Sequence, residues 1–399
     1  MRAKLASLSI LGALFATTDA SAQGLLALQN NQADFRESQP LTFILGAGGG
    51  YDSLNYKSDA AGLDDIDSYF IQGSVGALYS DADAQTPWSI GADFGVLNYL
   101  DDSSRAEDTY YNARIAANLV HQASKRLKLA NNFYVTYEVE PDYAIGASTA
   151  LRNGQYFYGY ENFAVSYAWS ERLSSTTSYT LDGIKYEDDV VGSSEDRLSH
   201  IIAQQFSYSL NRQTKLVGEY RYRITNYDTA PNDYTSHYVL AGIDQAWSER
   251  TTGSLRAGAE FYESDRVSET GPYVEIGINH ATSKKTNVGL YASAGFDSAE
   301  LGDYESRYAY RTGVTASHRA TDRLTLTGGL HYVNSDFEGN GDTTEDVSEQ
   351  QVNASAGLAY RLWNNVSMDA QYSYTLLDSD DELREYDRNR VSLGLSAQF

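Results

Sequence analysis

The sequence contains no cysteine, only five prolines and two methionines, and no long apolar run after its first residues. The absence of cysteine excludes both a lipoprotein anchor and a disulfide framework. Beyond residue 22, no apolar stretch approaches the about 20 residues that a transmembrane helix needs, so a helical membrane protein is excluded. The formal net charge of −24 argues against a nucleic-acid partner, because neutralising phosphates requires clustered Lys and Arg.

The first 22 residues have the pattern of a secretory signal peptide. Arg2 and Lys4 form a positive segment, residues 5–15 form a short apolar core, and Ala20-Ser21-Ala22 gives a small-x-small cleavage pattern. We therefore predict a signal peptide at 1–22.

Short polar and basic segments recur along the chain and predict tight hairpin turns. They lie at 123–127, 169–173, 210–214, 247–251, 281–285, 320–324 and 362–366, after a looser first turn at 80–87. Longer acidic connections alternate with them, at 57–67, 100–108, 139–154, 188–196, 228–233, 265–271, 298–305, 337–348 and 379–387. This asymmetry predicts an all-β fold, a transmembrane antiparallel up-and-down barrel of about 18 strands, with 16 as the alternative. The short turns and both termini would be periplasmic, with a periplasmic lead at 23–40 and the outer-membrane β-barrel at 41–399.

The strands between these turns alternate apolar and polar residues. In the last strand, apolar residues at odd positions from 391 to 399 alternate with polar or small residues at even positions. A soluble sandwich also alternates, but in a membrane barrel the apolar phase faces lipid and the polar phase faces a wet lumen.

The aromatic residues favour the membrane barrel, because tyrosine and tryptophan suit the interface between lipid and water. A periplasmic girdle is predicted beside the short turns at Trp88, Trp169, Trp247 and Trp363. An external girdle is predicted at Tyr56, Tyr110, Tyr111, Tyr137, Tyr156, Tyr186, Tyr227, Tyr234, Tyr308 and Tyr310. The final residue, Phe399, lies on the apolar phase, similar to the terminal signal that outer-membrane barrels present to the barrel-assembly machinery.

The inward phase carries charges of both signs. The predicted lumen-lining ladder consists of Arg114, Lys128, Lys215, Glu219, Arg221, Arg223, Arg256, Glu260, Arg307 and Arg311. Its charges either hold the wall together as ion pairs or orient polar solutes across a channel. The six histidines show no local nucleophile–base–acid pattern, so neither an enzyme nor a cofactor is predicted.

The acidic loops have two interpretations. They are solvated segments that keep the surface soluble, or they share divalent cations with lipopolysaccharide through weak contacts at Asp64, Asp65, Asp380 and Asp381. No dedicated metal site is predicted.

The glycine-rich opening strand, LGAGGGYDS at residues 45–53, carries a family likeness together with the tyrosine-rich hairpins and the ending at 390–399. It resembles the β-barrel porins of the second type, outer-membrane proteins of Gram-negative bacteria that include members encoded near exopolysaccharide loci. The leading hypothesis is a porin-like channel for small hydrophilic solutes, in contact with outer-membrane lipid and lipopolysaccharide. The alternatives are a barrel associated with exopolysaccharide export or biosynthesis, and a non-conducting structural or surface-interaction barrel.

Overall fold

The computed structural model describes residues 40–57, 65–100, 108–138, 155–187, 189–229, 232–297, 304–339 and 345–399. The predicted signal peptide lies outside these ranges, as does all but the last residue of the predicted lead. Eighteen strands in the described ranges form one closed antiparallel sheet, which confirms the predicted barrel. No helix among the described residues is long and apolar enough to cross a membrane.

Strands that are consecutive in the sequence pair with each other, and the first strand closes the barrel on the last, from Ile44↔Gln398 to Tyr56↔Tyr386. The strands are β1 (Leu41–Tyr56), β2 (Ile66–Asp81), β3 (Trp88–Tyr99), β4 (Thr109–Gln122), β5 (Leu127–Glu138), β6 (Tyr156–Ala168), β7 (Leu173–Tyr186), β8 (Arg197–Ser209), β9 (Thr214–Tyr227), β10 (Tyr234–Ser248), β11 (Thr251–Ser264), β12 (Ser268–Ser283), β13 (Thr286–Asp297), β14 (Tyr304–Arg319), β15 (Leu324–Gly339), β16 (Val347–Arg361), β17 (Val366–Ser379) and β18 (Tyr386–Gln398).

The short turns lie at one end of the barrel, which we call the short-turn end, and four of the tight turns share one hydrogen bond. A side-chain oxygen that opens the turn accepts from the backbone N–H three residues later, a geometry that Ser, Thr and Asn favour. The bonds are Leu127 N to Ser124 Oγ (3.1 Å), Leu173 N to Ser170 Oγ (3.0 Å), Thr214 N to Asn211 Oδ1 (2.9 Å) and Leu324 N to Thr321 Oγ1 (3.0 Å). The repeated polar residue of the sequence therefore has a structural cause.

The longer connections lie at the opposite end, the long-loop end. A short helix, α1 (Asp189–Glu195), connects β7 to β8, and a 3-10 turn at Glu382–Arg384 precedes β18. The connection expected at 265–271 is much shorter, because β12 begins at Ser268 and pairs with Glu263 of β11. Val267 N donates to Ser264 Oγ at 3.1 Å, so the chemistry of the short turns recurs here.

Two glycines of β1 leave room for atoms of the neighbouring strands. Gly50 pairs with Phe70 of β2, and a Cβ at Gly50 would collide with the Phe70 ring, which lies across the lumen side of the strand. A Cβ at Gly48 would lie 2.6 Å from the Leu393 carbonyl oxygen of β18. The glycine-rich strand is thus required where the barrel closes.

Candidate channel

All ten residues of the predicted ladder lie in the lumen-facing phase of their strands, opposite to the exposed apolar side chains. They occupy β4, β5, β9, β11 and β14, and most of them concentrate on the wall from β9 to β14. Lys128 and Lys215 are the second residues of β5 and β9 and lie near the short-turn end.

Arg221 is the centre of an ion-pair network on β9 to β12. Its Nη1 and Nη2 donate to the two carboxylate oxygens of Glu275 at 2.8 and 2.9 Å, and its Nε contacts Glu219. Arg256 is 2.8 Å from Asp244 Oδ1 and 3.6 Å from Glu219 Oε2. Bidentate pairing with Glu275 holds the Arg221 guanidinium in a fixed plane against the wall.

Neighbouring arginines extend this wall. Arg311 forms an ion pair with Asp297 of β13, and Arg307 Nε donates to Ser335 Oγ at 3.0 Å. Arg223 is 3.9 Å from Asp182 Oδ2. The cations of this wall therefore stand beside carboxylates or hydroxyls rather than forming an uncompensated basic surface.

Arginine side chains also cover aromatic rings on the lumen face. The guanidinium carbon lies 4.9 Å from the ring centre of Tyr134 for Arg114, and 5.6 Å from that of Tyr234 for Arg223. These distances fit cation–π contacts, which orient the guanidinium along the wall.

Glu260 has a different task from the other ladder residues. The β12–β13 ladder starts at Val274↔Ala294, so the N–H of Phe296, beyond that point, has no partner on β12. Glu260 Oε2 accepts this N–H at 2.9 Å, and its side chain is fully buried. Glu260 thus stabilises the wall where two strands separate.

The ladder prediction missed an ion pair that joins the first and last strands. Arg388 Nε of β18 donates to Asp52 Oδ1 at 2.8 Å, and the Tyr99 hydroxyl donates to Asp52 Oδ2 at 2.8 Å. Arg388 lies two residues before Arg390, in the same phase, so alternation alone identifies it as inward. Asp52 shares the phase of Gly48 and Gly50, where its charge went unnoticed.

The ladder prediction also missed an ion pair at the long-loop end. Arg384 Nε is 2.9 Å from Glu349 Oε1, and the Ser379 hydroxyl donates to the same oxygen at 3.1 Å. Arg384 belongs to the 3-10 turn, which the sequence predicts only as part of an acidic loop.

The lumen face of the long-loop end is packed with rings and aliphatic side chains, which we call the inner collar. Its members form four buried clusters: Leu54, Leu377 and Tyr386; Phe70, Leu97, Tyr99 and Tyr110; Tyr156, Ile184 and Tyr186; and Tyr227, Tyr234 and Tyr262. The collar corrects the predicted external girdle. Tyr110, Tyr156, Tyr186, Tyr227 and Tyr234 face inward and are buried, whereas Tyr111 and Tyr310 are exposed on the outer face.

The tryptophans and the last residue lie where lipid contact is expected. Trp88, Trp169, Trp247 and Trp363 are all exposed and border the short turns. Phe399 is 59% exposed, and it exchanges two backbone hydrogen bonds of 3.0 Å with Phe43.

Some acidic residues at the mouth of the barrel, by which we mean its long-loop end, form hydrogen bonds within the protein. Asp65 Oδ1 accepts from Tyr56 N at 2.9 Å, and Asp380 Oδ2 accepts from Ser348 N at 3.0 Å. The hydrogen bond to Asp378 raises the pKa of Lys57. In the part of the chain that the structure describes, no three His, Asp or Glu side chains are grouped to hold a metal ion. Asp64 lies outside the described residues.

Residues 171–399, more than half of the chain, match the protein family described as putative beta-barrel porin 2. The chain belongs to this family. It is therefore an integral β-barrel of the Gram-negative outer membrane, in a family of channels rather than enzymes. No curated protein matches the sequence.

Several solved structures resemble this porin at low sequence identity. OccAB4 of Acinetobacter baumannii is 12% identical, with 91% of this chain and 99% of that chain covered and a TM-score of 0.47. OpdK of Pseudomonas aeruginosa, solved with vanillate, is 12% identical, with 90% and 99% covered and a TM-score of 0.47. A BenF-like porin of Pseudomonas fluorescens is 9% identical, with 92% and 100% covered and a TM-score of 0.48.

Proposed function

We propose that this porin conducts small hydrophilic solutes with weak charge selectivity. The supporting observation is the polar inward phase of a closed eighteen-stranded wall, whose arginines stand beside carboxylates. Barrels of 16 to 18 strands enclose enough space for an aqueous channel. Paired charges orient the dipoles of polar solutes without strongly favouring one sign of ion.

Single-channel recording in planar bilayers tests this proposal. The folded barrel should give discrete, ohmic conductance steps in salt, and small sugars or amino acids should enter proteoliposomes that contain it. Correctly folded protein that gives no conductance steps and admits no solute would instead support a structural or surface-interaction barrel.

The charge preference of the channel should depend on salt. The acidic mouth acts at long range, and the Debye length falls from about 10 Å at 0.1 M salt to about 3 Å at 1 M. We expect a modest cation preference at low salt that fades towards none at high salt. Replacing Arg221 and Arg223 together by Ser should increase the cation preference, because Glu275 and Asp182 would lose their paired arginines and Glu219 would keep only Arg256. Reversal potentials under salt gradients measure the effect.

The double variant should keep part of its cation preference at 1 M salt, because the uncompensated carboxylates would lie within the lumen itself. Arg212→Ser is the matched control, since Arg212 is exposed in the turn between β8 and β9 and should change selectivity little. An anion preference that persists at high salt and disappears in the double variant would contradict weak selectivity. It would favour export of an acidic polysaccharide.

We also propose that the short-turn end faces the periplasm, with both termini there and a signal peptide at 1–22 removed. Peptide tags inserted at Asp189 or Asp381, at the long-loop end, should be accessible to antibody on intact cells. A tag at Gly341, outside the described residues, should behave the same way. Tags at Ser124, Ser283 or Asn364 should be detected only after the outer membrane is permeabilised. The reverse labelling pattern would overturn this orientation.

We assign the barrel no catalytic role. His121, His280 and His318 lie 2.8 to 2.9 Å from threonine hydroxyls near the short turns. His200 and His237 bond tyrosines on the outer face, and His331 lies in the lumen 2.9 Å from the Tyr291 hydroxyl. None of these contacts joins a histidine to both a nucleophile and an orienting acid, which acyl-transfer catalysis needs.

A further inference from the structure

The outer face of the barrel carries a carboxylate where lipid would be expected. Glu161 of β6 lies in the outward phase, between the exposed rings of Phe157 and Phe163 on its own strand. Among the described residues, it is the only acidic side chain on the outer face that has exposed apolar side chains on both sides of it along its strand.

Hydrogen-bonded polar side chains surround this position. Asn131 Nδ2 donates to Glu161 Oε1 at 3.0 Å, Thr177 Oγ1 donates to Gln204 Oε1 at 2.7 Å, and the Tyr179 hydroxyl is 2.8 Å from His200 Nδ1. We call this set the polar outer patch; its members are Asn131, Glu161, Thr177, Tyr179, His200 and Gln204, on β5 to β8. Gln204 lies between Ile202 and Phe206, both exposed, so the patch is embedded in the apolar band.

The hydrogen bonds within the patch do not satisfy the acceptor capacity of the Glu161 carboxylate. A carboxylate accepts about four hydrogen bonds, and Glu161 receives one from the described residues, at Oε1. Lipid offers neither donors nor water, so a charged group on a lipid face is unfavourable. By contrast, Val391, Leu393 and Leu395 of β18 form an uninterrupted apolar row on the outer face.

The outer face has little side-chain bulk directly beside Glu161. Gly159 lies two residues before Glu161 in the same outward phase, and a Cβ at Gly159 would meet only the Val135 side chain, at 3.9 Å. A second wall can therefore come near the backbone at this point and bring donors to Glu161.

We propose that the polar outer patch is the contact surface between two copies of this chain in the membrane. The face is self-complementary, because it carries an acceptor, Glu161, and the Tyr179–His200 pair, which in either tautomer keeps one donor hydrogen outside its own bond. In an isologous contact, whatever one copy offers at one position it receives at the other. Pairing two copies thus shields both carboxylates from lipid and supplies each with donors.

Cross-linking in intact outer membranes tests the contact directly, since the chain has no cysteine of its own. Ile202→Cys places a thiol inside the patch, and Leu330→Cys places one on β15 at the far side of the barrel; the wild-type side chains are 54% and 49% exposed. With a flexible bis-maleimide, the Ile202 variant should yield a cross-linked dimer and the Leu330 variant should not.

A second measurement asks whether the polar groups hold the copies together. The double variant Asn131→Leu, Glu161→Leu should lose the Ile202→Cys cross-link and shift the particle mass in mild detergent from two copies to one. It should keep its heat-modifiable gel shift, because removing a charge from the outer face does not impair a single barrel. Glu161→Gln, which keeps the bond to Asn131, should weaken the dimer less.

Three outcomes would overturn the proposal. The first is a wild-type barrel with the mass of one copy, together with Ile202→Cys that cross-links no better than Leu330→Cys. The second is cross-linking of the Ile202→Cys thiol to a different protein, which would make the patch a heterologous interface. The third is a double leucine variant that stays fully dimeric, which would remove the polar patch as the cause of association.

Discussion

Deleting Phe399, or replacing it by Asp, should sharply reduce the folded, heat-modifiable barrel that reaches the outer membrane. Phe399 is the outward end of the closing strand, and its backbone bonds to Phe43 fasten β18 to β1 at the short-turn end. An Asp there would put a charge on the face that lies against lipid. The measurement is the ratio of the two gel bands, unheated and heated, in isolated outer membranes.

Gln398→Asp is the matched control for this variant. It introduces the same charge one residue earlier, but in the lumen phase, where water solvates it. The control should assemble nearly as well as the wild type. Equal membrane yield and an unchanged gel shift for the Phe399 variants would show that the last side chain does not direct assembly.

Breaking the pair between Asp52 and Arg388 should cost more stability than any exposed ion pair of this barrel. Asp52 is 0% exposed, and Arg388→Met would leave its carboxylate uncompensated inside the wall. Loss of one partner of a buried pair costs about 3–5 kcal/mol. Urea unfolding in lipid vesicles measures the free energy of unfolding.

The double variant Asp52→Leu, Arg388→Met separates pairing from burial. It should be more stable than Arg388→Met alone, because no unpaired charge remains. Asp378→Asn is the control for an exposed pair; it removes the negative charge that lies 2.9 Å from Lys57 Nζ and should change stability by about 0–1 kcal/mol. An Arg388→Met variant as stable as this control would refute a closing role for the buried pair.

The parts of the fold that depend on local chemistry were predictable from the sequence. Ser124, Ser170 and Thr321 accept the hydrogen bond that opens each turn, and such residues favour hairpin turns wherever they occur. Period-two alternation assigns each strand a lipid face and a lumen face. Closure of the sheet follows, since an unclosed edge in lipid would leave backbone groups unpaired.

Features that depend on register were not predictable. Asp52 and Arg388 are 336 residues apart, and only the pairing of β1 with β18 brings them together. The role of Glu260 depends on where the β12–β13 ladder begins, which no local pattern encodes. The tyrosines near the long loops were assigned to the outer girdle from their position at strand ends. At Tyr110 and Tyr111 two identical neighbours give alternation no contrast between faces, whereas Tyr227 shares the inward phase of Arg221 and Arg223.

The inner collar helps to set the shape of the opening independently of the surface that the long loops present. The strand ends at the long-loop end are held from within by the rings of residues such as Tyr156 and Tyr186, in addition to the hydrogen bonds that they make with the connections beyond them. Insertions, deletions or substitutions that spare those hydrogen bonds should therefore change the shape of the opening little. The surface at the long-loop end can then vary while the opening itself stays the same.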